Sequence, residues 1–321
     1  MSKVVNQLSN IISRPLSFNS DAVLKKVQKM IQAHELSSII DVSMTCQNRL
    51  GQFFAPRINI KTNTFELSDL YLDYLWVFIY ASVVAYEECI LAEGVSLNGF
   101  NFDVSIYQRS MNSVKTLINF RNGNGGWPSQ CPEPNTKSAA TKFETERIAA
   151  ANEIFSQTLN IILHHELAHS MFNHKDFRGV AADCIEVEKE ADNWSLEETW
   201  DDVFLSDNVK RIRYLYATIF SFTSYLMACD SPNKMVQDKH LDIDARLQHI
   251  KDFISSKMNQ WVEWDYFYGL LSFIARTYIE LFDNRGAAKI RPDSPMYAEN
   301  LAYFYIEQLE NIKERYSTSL S

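Results

Sequence analysis

The sequence has little cysteine, and what it has is not arranged for bonding. Cys46, Cys89, Cys131, Cys184 and Cys229 are odd in number, widely spaced and never form a C-x-x-C pair. That excludes a disulfide framework and a zinc ribbon, and it suits a reducing compartment. Basic charge is in deficit as well. The 31 Lys and Arg stand against 40 Asp and Glu, a formal charge of −9. No basic stretch offers a footprint for a nucleic-acid backbone, so DNA and RNA are not expected partners. Long apolar runs are also missing. The two most apolar windows, Tyr74 to Tyr86 and Tyr214 to Ala228, fall short of the roughly 20 residues that cross a bilayer. They read as buried helices. The opening stretch MSKVVNQLSNIISRPLSF lacks the apolar run and small-residue cleavage site of a secretory leader. The expected location is the cytoplasm. There is no internal repeat and no low-complexity tract.

What is abundant is core material. Apolar residues make up 46% of the 321, with 20 Phe, 15 Tyr and 6 Trp, enough to fill a large interior and to exclude wholesale disorder. Val23, Val27, Met30 and Ile31 recur at helical spacing, after which Phe53 to Leu67 switches to alternation with β-branched residues. Ser68-Asp69 offers a cap for a long helix running to about Glu93, where Gly94 provides a stop. A further helix is expected over 104–120. Residues 121–138 then hold three of the nine glycines and three of the eight prolines, a density that no regular element tolerates. This segment reads either as a substrate-facing lid or as a stiff linker. Beyond it the periodicity predicts helices over 141–173, 183–200, 208–229, 244–256, 261–282 and 297–316. The fold class is therefore mainly α with a small β part. An N-terminal helix and small-sheet lobe covers 1–120, a Gly/Pro-rich loop 121–138 and a helical domain 139–321.

Histidine is scarce, seven residues in all, yet two stand at i and i+4 in His165-Glu166-Leu167-Ala168-His169, inside an apolar helical pattern. At that spacing both imidazoles lie on one helix face and can converge on one ion. Glu166, one position round, is placed to take a proton from water and not to bind the metal itself. The pattern predicts a Zn2+ site with His165 and His169 as ligands and Glu166 as general base. A structural zinc would want four protein ligands, typically with Cys, and none stands at fitting spacing.

A catalytic zinc needs a third protein ligand. The following helix offers Glu186, Glu188, Glu190 and Asp192. Glu188 and Asp192 share a face, so Glu188 as ligand would leave Asp192 one turn on to orient a ligating histidine; Glu190 is the alternative ligand, and the rest of the run makes a solvated face. His164 points off the motif's face and reads as a core histidine. His174 falls out of register with His169 and reads as a helix cap. Further on, His240 and Arg246 stand where a group polarising the scissile carbonyl could come from, or are ordinary surface residues.

Four stretches carry a resemblance: W-P-S-Q-C-P-E-P at Trp127 to Pro134, A-N-E-I-F at Ala151 to Phe155 leading into I-L-H-H-E-L-A-H at Ile162 to His169, E-K-E-A-D at Glu188 to Asp192, and Y-L-D-Y-L-W-V-F at Tyr71 to Phe78. In these the chain resembles the Lit-type phage-exclusion peptidases, peptidase family U49. The likeness extends from the N-terminus to about Arg246. It implies a gluzincin-like helical metallopeptidase core with His165, His169 and Glu188 on zinc, Glu166 as catalytic glutamate and Asp192 as helper. It further implies a cytoplasmic antiviral defence protease that, on a phage cue, cleaves a protein substrate, host elongation factor Tu in complex with a phage peptide. Two other functions fit the residues: a housekeeping or regulatory zinc peptidase, and a catalytically inert interaction protein that keeps its zinc helix for structure alone.

Overall fold

The computed structural model describes residues 7–8, 28–29, 32–33, 40–43, 55–59, 64–87, 127–128, 131–172, 174, 181–200, 208–227, 243–257, 264–282 and 298–317. The helix expected over 104–120 and the end of the one expected to reach Glu93 lie outside these residues, as do most of 20–33 and His240.

Three short strands form the β part: β1 (Ile40–Ser43), β2 (Arg57–Asn59) and β3 (Thr64–Ser68), in the order β1-β3-β2. The alternation over Phe53 to Leu67 marks β2 and β3, which pair antiparallel with Ile58 opposite Phe65. The cross-strand ion pair Arg57–Glu66, at 2.9 Å, sits at the Arg57↔Glu66 register position. The parallel pairing of β1 with β3 adds a strand that no sequence pattern announces.

Seven helices follow among the described residues: α1 (Asp69–Tyr86), α2 (Lys142–Met171), α3 (Ala181–Trp200), α4 (Asn208–Met227), α5 (Ile243–Lys257), α6 (Trp264–Phe282) and α7 (Ala298–Ser317). With the small sheet they bear out a mainly α fold with a minor β part. Ser68 caps α1, its hydroxyl accepting from the Tyr71 N–H at 3.3 Å. Helix α1 is apolar all round and has almost no exposed side, with Leu72, Tyr74, Leu75, Trp76, Val77, Phe78 and Ile79 at 0% exposure. Such a helix has to lie in the middle of a bundle. It packs on α2, α4 and α6, and one apolar core runs from Leu67 in β3 to Ile312 in α7.

The functional helix is α2, whose 30 residues extend for about 45 Å. A capping arrangement starts it. The Thr141 hydroxyl accepts from the Glu144 N–H, and the Glu144 carboxylate reaches back to the Ala140 N–H. Near this end, Asn152 accepts from Trp76 Nε1 at 2.7 Å and donates to the Pro134 carbonyl at 3.3 Å. Trp127 stacks obliquely on Trp76 at 5.8 Å and donates from Nε1 to the Cys131 carbonyl. The described part of the Trp-Pro loop is thus fastened to the first half of α2. Thirteen residues separate Asn152 from His165, about 20 Å along the helix.

Close approach between α1 and α6 rests on one glycine. A Cβ on Gly269 would come within 2.5 Å of the Tyr86 hydroxyl and 2.9 Å of its ring, and the Tyr86 side chain is itself fully buried. Gly269→Ala should therefore destabilise the protein by about 1–3 kcal/mol through overpacking, despite the roughly 1 kcal/mol that alanine gains in a helix interior. Chemical denaturation of the two proteins measures the difference, and a more stable variant would show that the contact yields.

Candidate metal centre

Helix α2 carries its apolar residues toward the core and leaves His165, Glu166 and His169 on the side that meets α3. The two helices lie against one another, which sets the acidic run of α3 opposite the histidines. His165 Nε2 lies 3.1 Å from His169 Nε2 and 3.2 Å from Glu188 Oε2, while His169 Nε2 lies 3.4 Å from Glu188 Oε1. One ligand atom from each residue falls within 4.8 Å of the other two.

These separations bear on what the three residues could hold. Four ligands about 2.0–2.1 Å from a tetrahedral zinc lie about 3.3–3.4 Å from each other, and the observed separations of 3.1–3.4 Å, those to Glu188 reaching one carboxylate oxygen each, come close to that spacing. The donor set is two imidazole nitrogens and one carboxylate, a set that suits zinc and leaves a fourth position open. Two imidazole nitrogens facing each other across 3.1 Å also need something positive between them, a shared proton or a cation. The residues present therefore fit a zinc ion.

Behind His165 the structure is closed and charged. Its Nδ1 lies 2.7 Å from Asp192 Oδ1, which orients the ring so that Nε2 faces Glu188. Asp192 is completely buried. Arg246, from α5, meets it with two donors, Nη2 to Oδ1 at 2.8 Å and Nε to Oδ2 at 3.2 Å. Burial alone would raise the Asp192 pKa, but Arg246 and then His165 hold it below the usual carboxylate value. Burial likewise disfavours a charged His165, and the Asp192 and Glu188 carboxylates overcome it and bring its pKa up to about 10. His169 goes the other way, down to about 4, through burial and the positive charge of His165.

The remaining histidines divide. His164 is a core residue, its Nδ1 donating to the Asn160 carbonyl at 2.8 Å and its ring 5.6 Å from Trp194. Burial lowers its pKa to about 4. His174, read from the sequence as a helix cap, instead turns back against the site. Its Nδ1 is 2.9 Å from His169 Nδ1, and its Nε2 is 3.2 Å from Glu190 Oε2. The cap of α2 is Phe172. Glu190 is exposed and stands off the three-residue cluster, yet it reaches His174. Arg246 lies behind His165 on Asp192.

Glu166 makes a contact that its spacing does not suggest. Its Oε2 accepts from the Ile58 N–H at 3.1 Å. Ile58 is the middle residue of β2, the outer strand among those described. Since its N–H points to Glu166, its carbonyl shares that edge, because both backbone groups of one residue in an antiparallel strand face the same side. Among the described residues no further strand pairs with this edge, which faces the glutamate. Ile58 could not be singled out from sequence, since it lies 108 residues from Glu166 and meets it only through packing.

The Asp192–Arg246 pair can be tested directly. Arg246→Ala leaves a buried carboxylate with one partner fewer, and the expected loss of folding stability is on the order of 3–5 kcal/mol. Urea unfolding would report it. A loss under about 1 kcal/mol would mean that Asp192 is solvated.

No curated protein and no solved structure matches the chain. The description Peptidase U49 matches residues 66–267, a span of more than half the chain that contains the end of β3, all of α1 to α5, and each of the site residues except Ile58. With its paired histidines and the carboxylate between them inside that span, the chain belongs to the peptidase U49 family.

Proposed function

We propose that this peptidase is a zinc-dependent endopeptidase in which His165, His169 and Glu188 hold the metal and Glu166 is the general base. The observation that carries the reading is the convergence of His165, His169 and Glu188, whose ligand atoms lie within 4.8 Å of one another, with Glu166 on the same helix as the two histidines. A zinc ion held there would supply a Lewis acid for the scissile carbonyl and bring the pKa of a water close to 7. The protein's own share is proton handling and placement. Glu166 takes a proton from the attacking water and returns it to the leaving amine. Asp192 and Arg246 keep His165 aimed, and burial keeps competing water away from that side.

The edge of β2 beside Glu166, which no further strand covers among the described residues, supports a peptide substrate in extended form. Ile58 offers a backbone N–H and C=O beside the base, where a strand-like segment can pair with them as it crosses the site. The Ile58 N–H would exchange its Glu166 partner for the incoming chain.

For the substrate, the resemblance to phage-exclusion peptidases favours elongation factor Tu recognised together with a phage peptide, and with it a defence role in the cytoplasm. Among the described residues no helix is long and apolar enough to cross a membrane, which agrees with a target reached from solution.

The decisive experiment incubates the purified protein and its Glu166→Gln variant with elongation factor Tu, with and without phage lysate. A discrete fragment that needs the lysate and is lost with the variant is the expected result. No fragment, with zinc bound stoichiometrically, would send the search to other proteins. Metal analysis separates binding from chemistry. Glu166→Gln should keep one zinc and lose nearly all cleavage, Glu188→Ala should lose the zinc, and Glu190→Ala should still hold one equivalent. Full activity in the Gln variant would overturn the base assignment.

A further inference from the structure

We propose that His174 is a positioning residue that holds His169 in its metal-binding tautomer, and that Glu190 in turn orients His174. The inference rests on the metal-site reading above and concerns a side chain that lies outside the H-E-x-x-H motif and outside the acidic ligand pattern.

The argument follows the protons. A neutral imidazole carries one N–H, so His169 can offer Nε2 to a metal only with its proton on Nδ1. That proton faces His174 Nδ1 at 2.9 Å, which must then accept. His174 consequently keeps its own proton on Nε2, and there it meets the Glu190 carboxylate at 3.2 Å, a group that can only accept when ionised. Each tautomer is set by the next. Were the His174 proton on Nδ1, it would donate to His169 Nδ1, move the His169 proton to Nε2 and take the ligand out of use.

The packing around His174 fits a fixed ring. Its side chain is only 9% exposed, and it sits edge-on to His169 with ring centres 5.2 Å apart. Phe172 lies beside it at 5.7 Å and meets Trp194 of α3 edge-on at 6.3 Å. The end of α2 is thereby held to α3, which carries Glu190.

The two ligating histidines are thus supported unequally. His165 rests on a buried carboxylate backed by Arg246, whereas His169 rests on a neutral imidazole whose carboxylate is 55% exposed. Removing an outer partner of a ligating histidine typically costs 10–100-fold in metal affinity.

The test is a zinc competition titration against a chromophoric chelator, using the full chain stripped of metal. His174→Phe keeps a ring but cannot accept, and should weaken zinc binding 10–100-fold. His174→Asn places a carbonyl oxygen near the Nδ1 position and should recover most of that loss. Glu190→Ala should give a smaller loss, since water can replace an exposed carboxylate. Cobalt-loaded protein gives a second readout: its visible bands should shift in the Phe variant and return in the Asn variant. Thermal unfolding of the stripped proteins shows whether each variant folds, and the Asn and Ala variants carry the test if Phe does not. Zinc binding within about twofold of the parent in both the Phe and Ala variants, or an Asn variant as weak as Phe, overturns the proposal and leaves the metal centre standing. A parent chain that binds no zinc overturns both.

Discussion

The contact on which the site depends is the buried pairing of Asp192 with Arg246. A carboxylate removed from water is costly unless a cation and hydrogen bonds surround it, and here the two N–H groups of one guanidinium occupy it on one side while His165 occupies it on the other. Three helices, α2, α3 and α5, are tied at that point. The relative rotation of α2 and α3 cannot change without unpairing a buried charge, and that rotation brings Glu188 to within 3.2–3.4 Å of both histidines.

An aromatic scaffold bears this arrangement. Helix α1 lies at the centre with no exposed face, and Phe78 meets Phe220 of α4 edge-on at 5.4 Å while Trp76 is hydrogen-bonded to Asn152 of α2. Rings of this size contribute much burial at little cost in side-chain entropy. Polar pairs bridge elements inside the bundle, Tyr71 with Ser224 at 2.8 Å and Trp200 Nε1 with Thr218 at 3.1 Å. The result is a rigid frame in which half of α2 is structural and its last turns are chemical.

The two sides of the metal centre differ in kind. On one, His165, Asp192 and Arg246 make a closed, charged stack away from solvent. On the other, His169, His174 and Glu190 lead outward to the surface, and β2 brings a backbone edge to Glu166. Buried charge fixes the geometry of the first side, and on the proposed reading a peptide would lie along the second.

Much of this was legible in the sequence where the information is local. Helical period, the Ser68 cap and the Gly/Pro-rich loop mark most of the described elements, because caps and periodicity act within a few residues. The i, i+4 spacing put His165 with His169, and Glu188 with Asp192, each on one helix face, since 3.6 residues per turn dictates it. Other features depend on how separate segments meet. The parallel strand β1, the Ile58 N–H at Glu166 and Arg246 on Asp192 all arise from contacts between residues far apart in sequence, and His174 meets His169 from beyond the end of α2. The sequence by itself determined the ligand types and their spacing along each helix. Only the tertiary structure decided which backbone edge, which arginine and which histidine stand behind them, because register between helices is set by packing and buried charge and not by any period within one helix.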